Sequence, residues 1–462
     1  MNVVDLLQMV VLVVFALING GYAASLVLAS RALLMRDRRT SELEDTAMAR
    51  AGHYIPVSFL VPAYNEEATI VASTRSLLAM HYPEFEVIVV SDGSSDGTMD
   101  AMQEAFELVR SAPLPLRVAP HAPVRSTWRS RTHANLVVLD KENGGKADAL
   151  NVALEQAHFP LVAAIDADSL VDPSALLRAG ARFHDKPELV ALGGTIRVVN
   201  DATVVDGAVR EARTPHNFLA RWQQLEYVRA FLAARTALSH IGCLMLVSGA
   251  FGLFRRGALI EVGGYRTDTV GEDLELGVRL HRHFRDEGEP YAVEYMIEPL
   301  CWTQVPEDPA TLRRQRDRWH RGLWETLWTH RAMLFNPRYG RIGLLAVPHA
   351  WFFEGLAPLV EVAGYALVVV LAFTGNLDPA FAAAFFALAL LYGVLVSLAS
   401  SALEVVLPQA PARLGDRIRL LNAVVTENLG YRPWLALVRT IAMFTIRRRR
   451  GMWGVMTRRR FG

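Results

Sequence analysis

Two carboxylates close an apolar run in Ile165-Asp166-Ala167-Asp168, and hard oxygen ligands at the end of a strand can hold Mg²⁺ or Mn²⁺ while phosphate oxygens fill the remaining coordination sites. Such a pair suits a ligand that carries a diphosphate. Without context, the same Asp-x-Asp serves equally as a solvated loop or a helix N-cap. A second apolar run ends in Val90-Ser91-Asp92-Gly93-Ser94-Ser95-Asp96-Gly97-Thr98, a carboxylate followed by a glycine-rich turn able to hold a base and ribose beside backbone amides. Asp92 is the expected nucleotide contact, whereas Asp96 is read as structural, since Ser95 or Asp96 as N-cap of a plain turn explains that half equally well. Asn143-Gly144-Gly145-Lys146 opens a helix. Its glycines permit close approach to a ligand, and the Lys146 ammonium can reach phosphate oxygens. The GxxxxGK[ST] spacing of a P-loop is absent, which removes the main support for an ATPase.

The elements that must position these residues alternate. Apolar runs at 57–61, 86–90, 136–139 and 161–165 read as strands, and helical patterns fall at about 67–80, 97–109 and 147–157. A βαβαβαβ order implies a parallel sheet with right-handed crossovers, which binds ligands at the carboxyl ends of its strands. Every acidic motif above follows such a strand, as does Val61-Pro62-Ala63-Tyr64-Asn65-Glu66-Glu67.

Taken together and in this order, the motifs resemble those of family 2 glycosyltransferases of GT-A fold, an α/β, Rossmann-like mixed sheet. Gly271-Glu272-Asp273-Leu274-Glu275 is similar to the family's [T/G]ED segment, and Gln315-Arg316-Asp317-Arg318-Trp319 to the QxxRW signature of its membrane-bound branch, which contains cellulose, hyaluronan and poly-N-acetylglucosamine synthases. The resemblance covers about residues 56–322. It implies a nucleotide-sugar donor, UDP-linked, and a carbohydrate or glycolipid acceptor. Pro62, Tyr64, Glu66 and Asp92 would meet the donor, together with Lys146, Asp166, Asp168 and Arg318. Asp166 and Asp168 would be the metal ligands. Asp273 is the implied base of an inverting transfer, oriented by Glu272, with Glu275 facing solvent along the helix. Ser248 and Gly249 lie in Val247-Ser248-Gly249-Ala250-Phe251, which resembles the acceptor-side turn but lacks the cysteine found there in cellulose synthases. With Gln315 and Trp319, whose indole can stack on a sugar ring, they complete the acceptor side.

At 462 residues and 52% hydrophobic, the chain is too long for one compact core and too apolar for an ordinary soluble protein. Apolar stretches at 6–34, 356–374 and 381–406 are long enough to cross a bilayer. Arg36, Arg38 and Arg39 follow the first stretch, which is the reverse of a signal peptide and places the following domain in the cytoplasm by the positive-inside rule. The expected organisation is an N-terminal transmembrane helix at 1–36 and a linker at 37–55. A cytoplasmic catalytic domain at 56–335, interfacial and transmembrane helices at 336–446 and a basic tail at 447–462 follow, in a multi-pass protein of the inner or plasma membrane. A formal net charge of +1 gives no support for nucleic-acid binding. Cys243 and Cys301 have no metal-ligand spacing. His281 and His283, two apart on a helix, point to different faces and are read as solvated rather than as metal ligands. Arg125-Ser126-Thr127-Trp128-Arg129 is read as a basic loop near membrane or donor. A processive polysaccharide synthase is the favoured function, single transfer to a lipid its rival, and a non-enzymatic sensor or transporter the third class.

Overall fold

The computed structural model describes residues 3–34, 52, 54–112, 121–205, 207–405 and 413–446. The basic cluster at 36–39, most of the linker and the tail at 447–462 lie outside the described residues. The strands in chain order are β1 (Val57–Ala63), β2 (Phe85–Asp92), β3 (Leu108–Ser111), β4 (Val124–Ser130), β5 (Leu136–Lys141) and β6 (Leu161–Ala164), then β7 (Ser169–Val171), β8 (Leu189–Val198), β9 (Thr203–Val205), β10 (Ala208–Glu211), β11 (Gly252–Arg255) and β12 (Ala292–Thr303).

Contacts divide the chain into two compact units, one within 36–213 and 244–305, the other within 1–35, 214–243 and 306–455. In the first unit the described strands build a ten-stranded sheet of order β3-β4-β5-β2-β1-β6-β11-β8-β12-β7. The four anticipated strands β5, β2, β1 and β6 run parallel at its centre. Their Val, Ile and Leu runs are buried on both faces, as a sheet covered on both sides requires. Helices Ile70–Leu78, Thr98–Phe106 and Lys146–Gln156 make the crossovers. The sheet is mixed: β11 is antiparallel to both β6 and β8, and β4 to β5.

Residues 124–130 are therefore a strand, not the loop expected for Arg125–Arg129. Its residues are mostly polar and only Thr127 is buried, while Arg125 and Arg129 are exposed.

The second unit is helical. Three of its helices are long and apolar enough to cross a membrane, Val4–Leu34, Ile342–Phe373 and Pro379–Ala402. Val11 and Phe15 of the first pack with Leu371, Phe381 and Phe385 of the others. Helices Leu414–Thr426 and Arg432–Thr445, joined by the π-helical turn Glu427–Tyr431, expose Leu414, Ile418, Leu421, Val425 and Leu429 as one apolar stripe. Their inner side carries Glu427, which pairs with Arg229, and Tyr431, whose hydroxyl donates to Glu226 at 2.6 Å. Within the stretch 56–335, residues 214–243 and those from 306 onward belong to this helical unit.

Candidate active site

The three acidic loops sit at the carboxyl ends of neighbouring parallel strands. After β1, Asn65 takes a left-handed φ of 55° and accepts a hydrogen bond from the Ser95 amide at 2.8 Å, while the Glu66 amide donates to Thr98 Oγ1 at 2.9 Å. Asp96 accepts from the Glu67 amide at 3.1 Å and the Thr98 amide at 3.0 Å, the structural use expected of it. These bonds lace the loop of Pro62, Tyr64 and Glu66 to the one that follows β2, leaving the Tyr64 ring exposed.

Asp92 ends β2 almost wholly buried. Lys141 Nζ donates to its Oδ1 at 2.6 Å, the Gly144 amide to Oδ1 at 2.9 Å and the Gly145 amide to Oδ2 at 2.7 Å. Its carboxylate thus shapes the turn that presents Lys146. Lys141 itself, with no exposed side-chain surface, also pairs with Asp148 at 2.6 Å.

Lys146 lies at the start of its helix with its ammonium 2.6 Å from Asp166 Oδ1 and 3.0 Å from Glu272 Oε1. Burial alone would lower its pKa, but Asp166, Glu272 and Asp273 outweigh that and hold the ammonium above its ordinary value. The 247–251 turn reaches this point because β11 pairs with β6 in a register that sets Gly252 against Ala164. A Cβ at Gly249 would lie 2.6 Å from Lys146 Nζ, so a larger residue there would push the ammonium off its ion pairs. The Gly249 amide donates to Asp273 Oδ2 at 3.3 Å, and the Leu274 amide to Asp273 Oδ1 at 2.8 Å. Glu272 and Asp273 occupy the first turn of helix Glu272–Glu287. Lys146, Ser248, Gly249, Glu272 and Asp273 line one small pocket, so the structure brings together residues from three distant stretches of the chain.

Residues 55–322 match the family model described as "Glycosyltransferase like family 2". The chain belongs to this family. Among curated relatives, the poly-beta-1,6-N-acetyl-D-glucosamine synthase of Staphylococcus epidermidis is 29% identical over 287 residues, 60% of this chain and 59% of that protein. The synthase of Staphylococcus aureus strain COL is 29% identical over 273 residues, 59% of this chain and 55% of that one. The chain therefore matches little more than half the length of these relatives. Among solved structures, the mannosyltransferase PcManGT from Pyrobaculum calidifontis, in complex with GDP-Man and Mn²⁺, superposes with a TM-score of 0.57 at 20% identity, over 92% of this chain and 99% of that one. The shared fold is GT-A.

In this family 2 glycosyltransferase, Asp166 and Asp168 fall in the tight turn between β6 and β7, closed by the Ser169 amide donating to the Asp166 carbonyl at 3.0 Å. Among the described residues no group of three or more His, Cys, Asp and Glu side chains could hold a metal. The two carboxylates supply only hard oxygens and only part of a shell, which fits an ion arriving with a diphosphate rather than a structural ion.

Gln315, Arg318 and Trp319 belong to the helical unit, on helix Pro309–Thr329, whose first turn is capped by Asp308 accepting from the Thr311 amide at 2.8 Å. Arg316 lies over one face of the Trp319 ring, 4.2 Å from its centre, and is anchored by Glu226 at 2.8 Å. Trp319 nonetheless remains 41% exposed. The Gln315 amide oxygen is buried without a hydrogen-bond partner.

Two expectations need correction. Glu275 does not face solvent: it is 1% exposed and receives Arg279 Nε and Nη2 at 3.0 and 2.9 Å, because helix Glu272–Glu287 turns that side toward the 262–264 loop, to whose carbonyls Arg279 also donates. His281 is not solvated but buried, with Nε2 2.7 Å from the Leu244 carbonyl and Nδ1 2.9 Å from the Tyr291 hydroxyl. Burial lowers its pKa to about 4. His283, on another face, meets Glu261 at 3.8 Å. Sequence reasoning also passed over Lys141, Asp148, Asn151 and Tyr265. A lysine closing the apolar run of β5, five residues before Lys146, was the available signal for Lys141; nothing local marked the others.

Proposed function

We propose that the protein performs inverting, metal-dependent transfer of an N-acetylhexosamine from a UDP-linked donor to a growing polysaccharide at the inner face of the membrane. The observation that carries this reading is the single pocket in which Asp273 lies beside Lys146 and Glu272, one ion pair away from the Asp166-x-Asp168 turn. The sugar class comes from the named activity of the relatives, which the chain matches over part of their length.

In this mechanism the acceptor hydroxyl oxygen attacks the anomeric carbon, the bond to the diphosphate oxygen breaks, and the hydroxyl proton passes to Asp273. The Gly249 and Leu274 amides hold that carboxylate in place and leave lone pairs free for the proton. Lys146 counters negative charge on the diphosphate as it departs. Asp166 and Asp168 would hold Mg²⁺ or Mn²⁺, which supplies further charge neutralisation there. Asp92, Pro62, Tyr64 and Glu66 form the nucleotide side, and Ser248 and Gly249 the acceptor side. Roles for Arg318 toward the diphosphate and for Gln315 and Trp319 toward the acceptor are supported by the QxxRW resemblance and by the exposure of the Trp319 ring.

Incubating membranes with a panel of nucleotide sugars and sizing the products tests the reading. A long polymer from a UDP-N-acetylhexosamine is expected. A monoglycosylated lipid as sole product at saturating donor would replace extension by single transfer and leave the catalytic roles unchanged. Trp319→Ala should lower elongation far more than hydrolysis of the donor. The cytoplasmic placement expects the turn around Asn376 to be reached by an external probe in intact cells, and its protection would reverse the orientation.

A further inference from the structure

Arg316 and Trp319 lie three residues apart on helix Pro309–Thr329 and so share one of its faces. The guanidinium covers one side of the indole, 4.2 Å from the ring centre, while the ring itself stays exposed. One member of the pair is buried and the other is presented. Arg316 is 2% exposed, and a guanidinium so enclosed needs an anion beside it.

Glu226, on helix Phe218–Tyr227, supplies that anion. Its Oε2 accepts from Arg316 Nη2 at 2.8 Å and from the Tyr431 hydroxyl at 2.6 Å, and Arg439 Nη2 lies 3.5 Å from its Oε1. Burial alone would raise the pKa of Glu226, but Arg316 and Arg439 outweigh that and hold it below its ordinary value, so the carboxylate stays charged. Tyr431 is gripped in turn. Its ring stacks on Trp222 at 5.7 Å and on Trp434 at 6.3 Å, and the Trp222 indole N–H donates to Thr426 Oγ1 at 2.9 Å. Three elements remote in sequence thus meet at the arginine that backs one exposed indole.

A buried ion pair adds little stability, because desolvating two charges offsets their attraction and an apolar pair of the same volume would fill the core as well. What such a pair does provide is a fixed direction. An indole on a helix surface otherwise turns about two side-chain torsions, and a ring that turns cannot hold one face toward a sugar. We propose that Glu226 is a positioning residue for the acceptor: through Arg316 it fixes the Trp319 ring, and Tyr431 and Arg439 of the C-terminal helices complete the clamp. The proposal rests on the reading of Trp319 as the acceptor's platform and assigns how that platform is held. The C-terminal helices then act on the transfer as well as on the packing of the helical unit.

The test uses the full chain in liposomes, as wild type, Glu226→Gln and Tyr431→Phe, each alone and combined with Trp319→Ala. Acrylamide quenching of the Trp319 fluorescence, taken as the difference between each protein and its Trp319→Ala counterpart, reads the ring directly. It should rise in Glu226→Gln, because a released ring opens its covered face. With UDP-N-acetylglucosamine as donor and a short N-acetylglucosamine oligosaccharide as acceptor, Glu226→Gln should raise the acceptor KM by about tenfold and leave donor KM and donor hydrolysis unchanged, the scale expected for misplacing a positioning group by part of an ångström. In the Trp319→Ala background Glu226→Gln should change acceptor use no further, since a residue that acts through another is not additive with it. Unchanged quenching, a parallel loss of donor hydrolysis, or additive effects of the two substitutions would each overturn the clamp. Tyr431→Phe keeps the ion pair and removes one donor, so it gives the same comparisons with a smaller shift if Glu226→Gln does not fold. A wild type that extends no acceptor would overturn the reading of Trp319 as a platform, and the quenching comparison would still decide whether the clamp holds the ring.

Discussion

Lys141 and Lys146 sit five residues apart on one turn, each between two carboxylates, and they do different work. Lys141 has no exposed side-chain surface. It meets Asp92 and Asp148 at 2.6 Å each and the Glu142 carbonyl at 2.7 Å, and the Gly145 amide takes the second oxygen of Asp92. Lys146 meets Asp166 and Glu272, but Asp166 keeps a third of its side chain exposed and the pocket opens alongside. A lysine enclosed in this way is scaffold, because no outside anion can replace its carboxylates. An open set can trade a carboxylate for a phosphate, so its charges are available to a substrate. Ion-pair distance is nearly the same in both places. Access to the far side of the carboxylates makes the difference.

Substitutions on the open side should strike activity. Asp273→Asn should lower transfer by about 10²–10⁴-fold, since an amide keeps the shape but cannot take the proton, while UDP binding in Mn²⁺ survives by isothermal titration. Lost binding would move Asp273 into the donor site and weaken the contrast. The two lysines should then part company. Lys141→Met leaves two buried carboxylates uncompensated and should cost about 3–5 kcal/mol in unfolding free energy. Lys146→Met should cost roughly 1–2 kcal/mol, because Asp166 can be hydrated, yet reduce transfer by about 10²-fold. Similar denaturation midpoints for the two variants would erase the distinction between closed and open sets. Asp168→Ala should weaken UDP binding in Mn²⁺ and leave it unchanged in chelator, and equal weakening in both would contradict a metal role for the turn.

The smallest effect lies away from both lysines. His281 has its pKa lowered to about 4, from an ordinary 6.5, by burial. Its neutral form therefore stabilises the fold fully above about pH 6.5, and that contribution drains away as pH falls toward 4, at up to about 1.4 kcal/mol per pH unit. Chemical denaturation between pH 7 and 5 should show this slope, and His281→Gln should flatten it. An unchanged slope would mean that other groups carry the acid sensitivity.

Much of the candidate site's setting was legible because it is local. A buried parallel strand must be an unbroken apolar run, so β1, β2, β5 and β6 announced themselves, and the carboxylates just beyond them followed. The apolar lengths of the three helices able to cross a membrane were visible for the same reason, since bilayer thickness sets a residue count. The polar strand β4 escaped notice because its Arg, Ser and Thr residues resemble a loop until the partner strand is present.

By itself the sequence determined which residues could bear charge at the strand ends, the order in which they occur and the hydrophobic lengths that demand lipid. It could not say which charges would be open and which closed. Lys141 and Lys146 differ by neighbours that come from β2, the β6–β7 turn and helix Glu272–Glu287, and Glu275 and His281 are buried by elements remote in the chain. The burial and pairing of an ionisable group depend on atoms brought close by the fold, so the selection of Asp273, Lys146 and Glu272 around one pocket is a decision of tertiary structure alone.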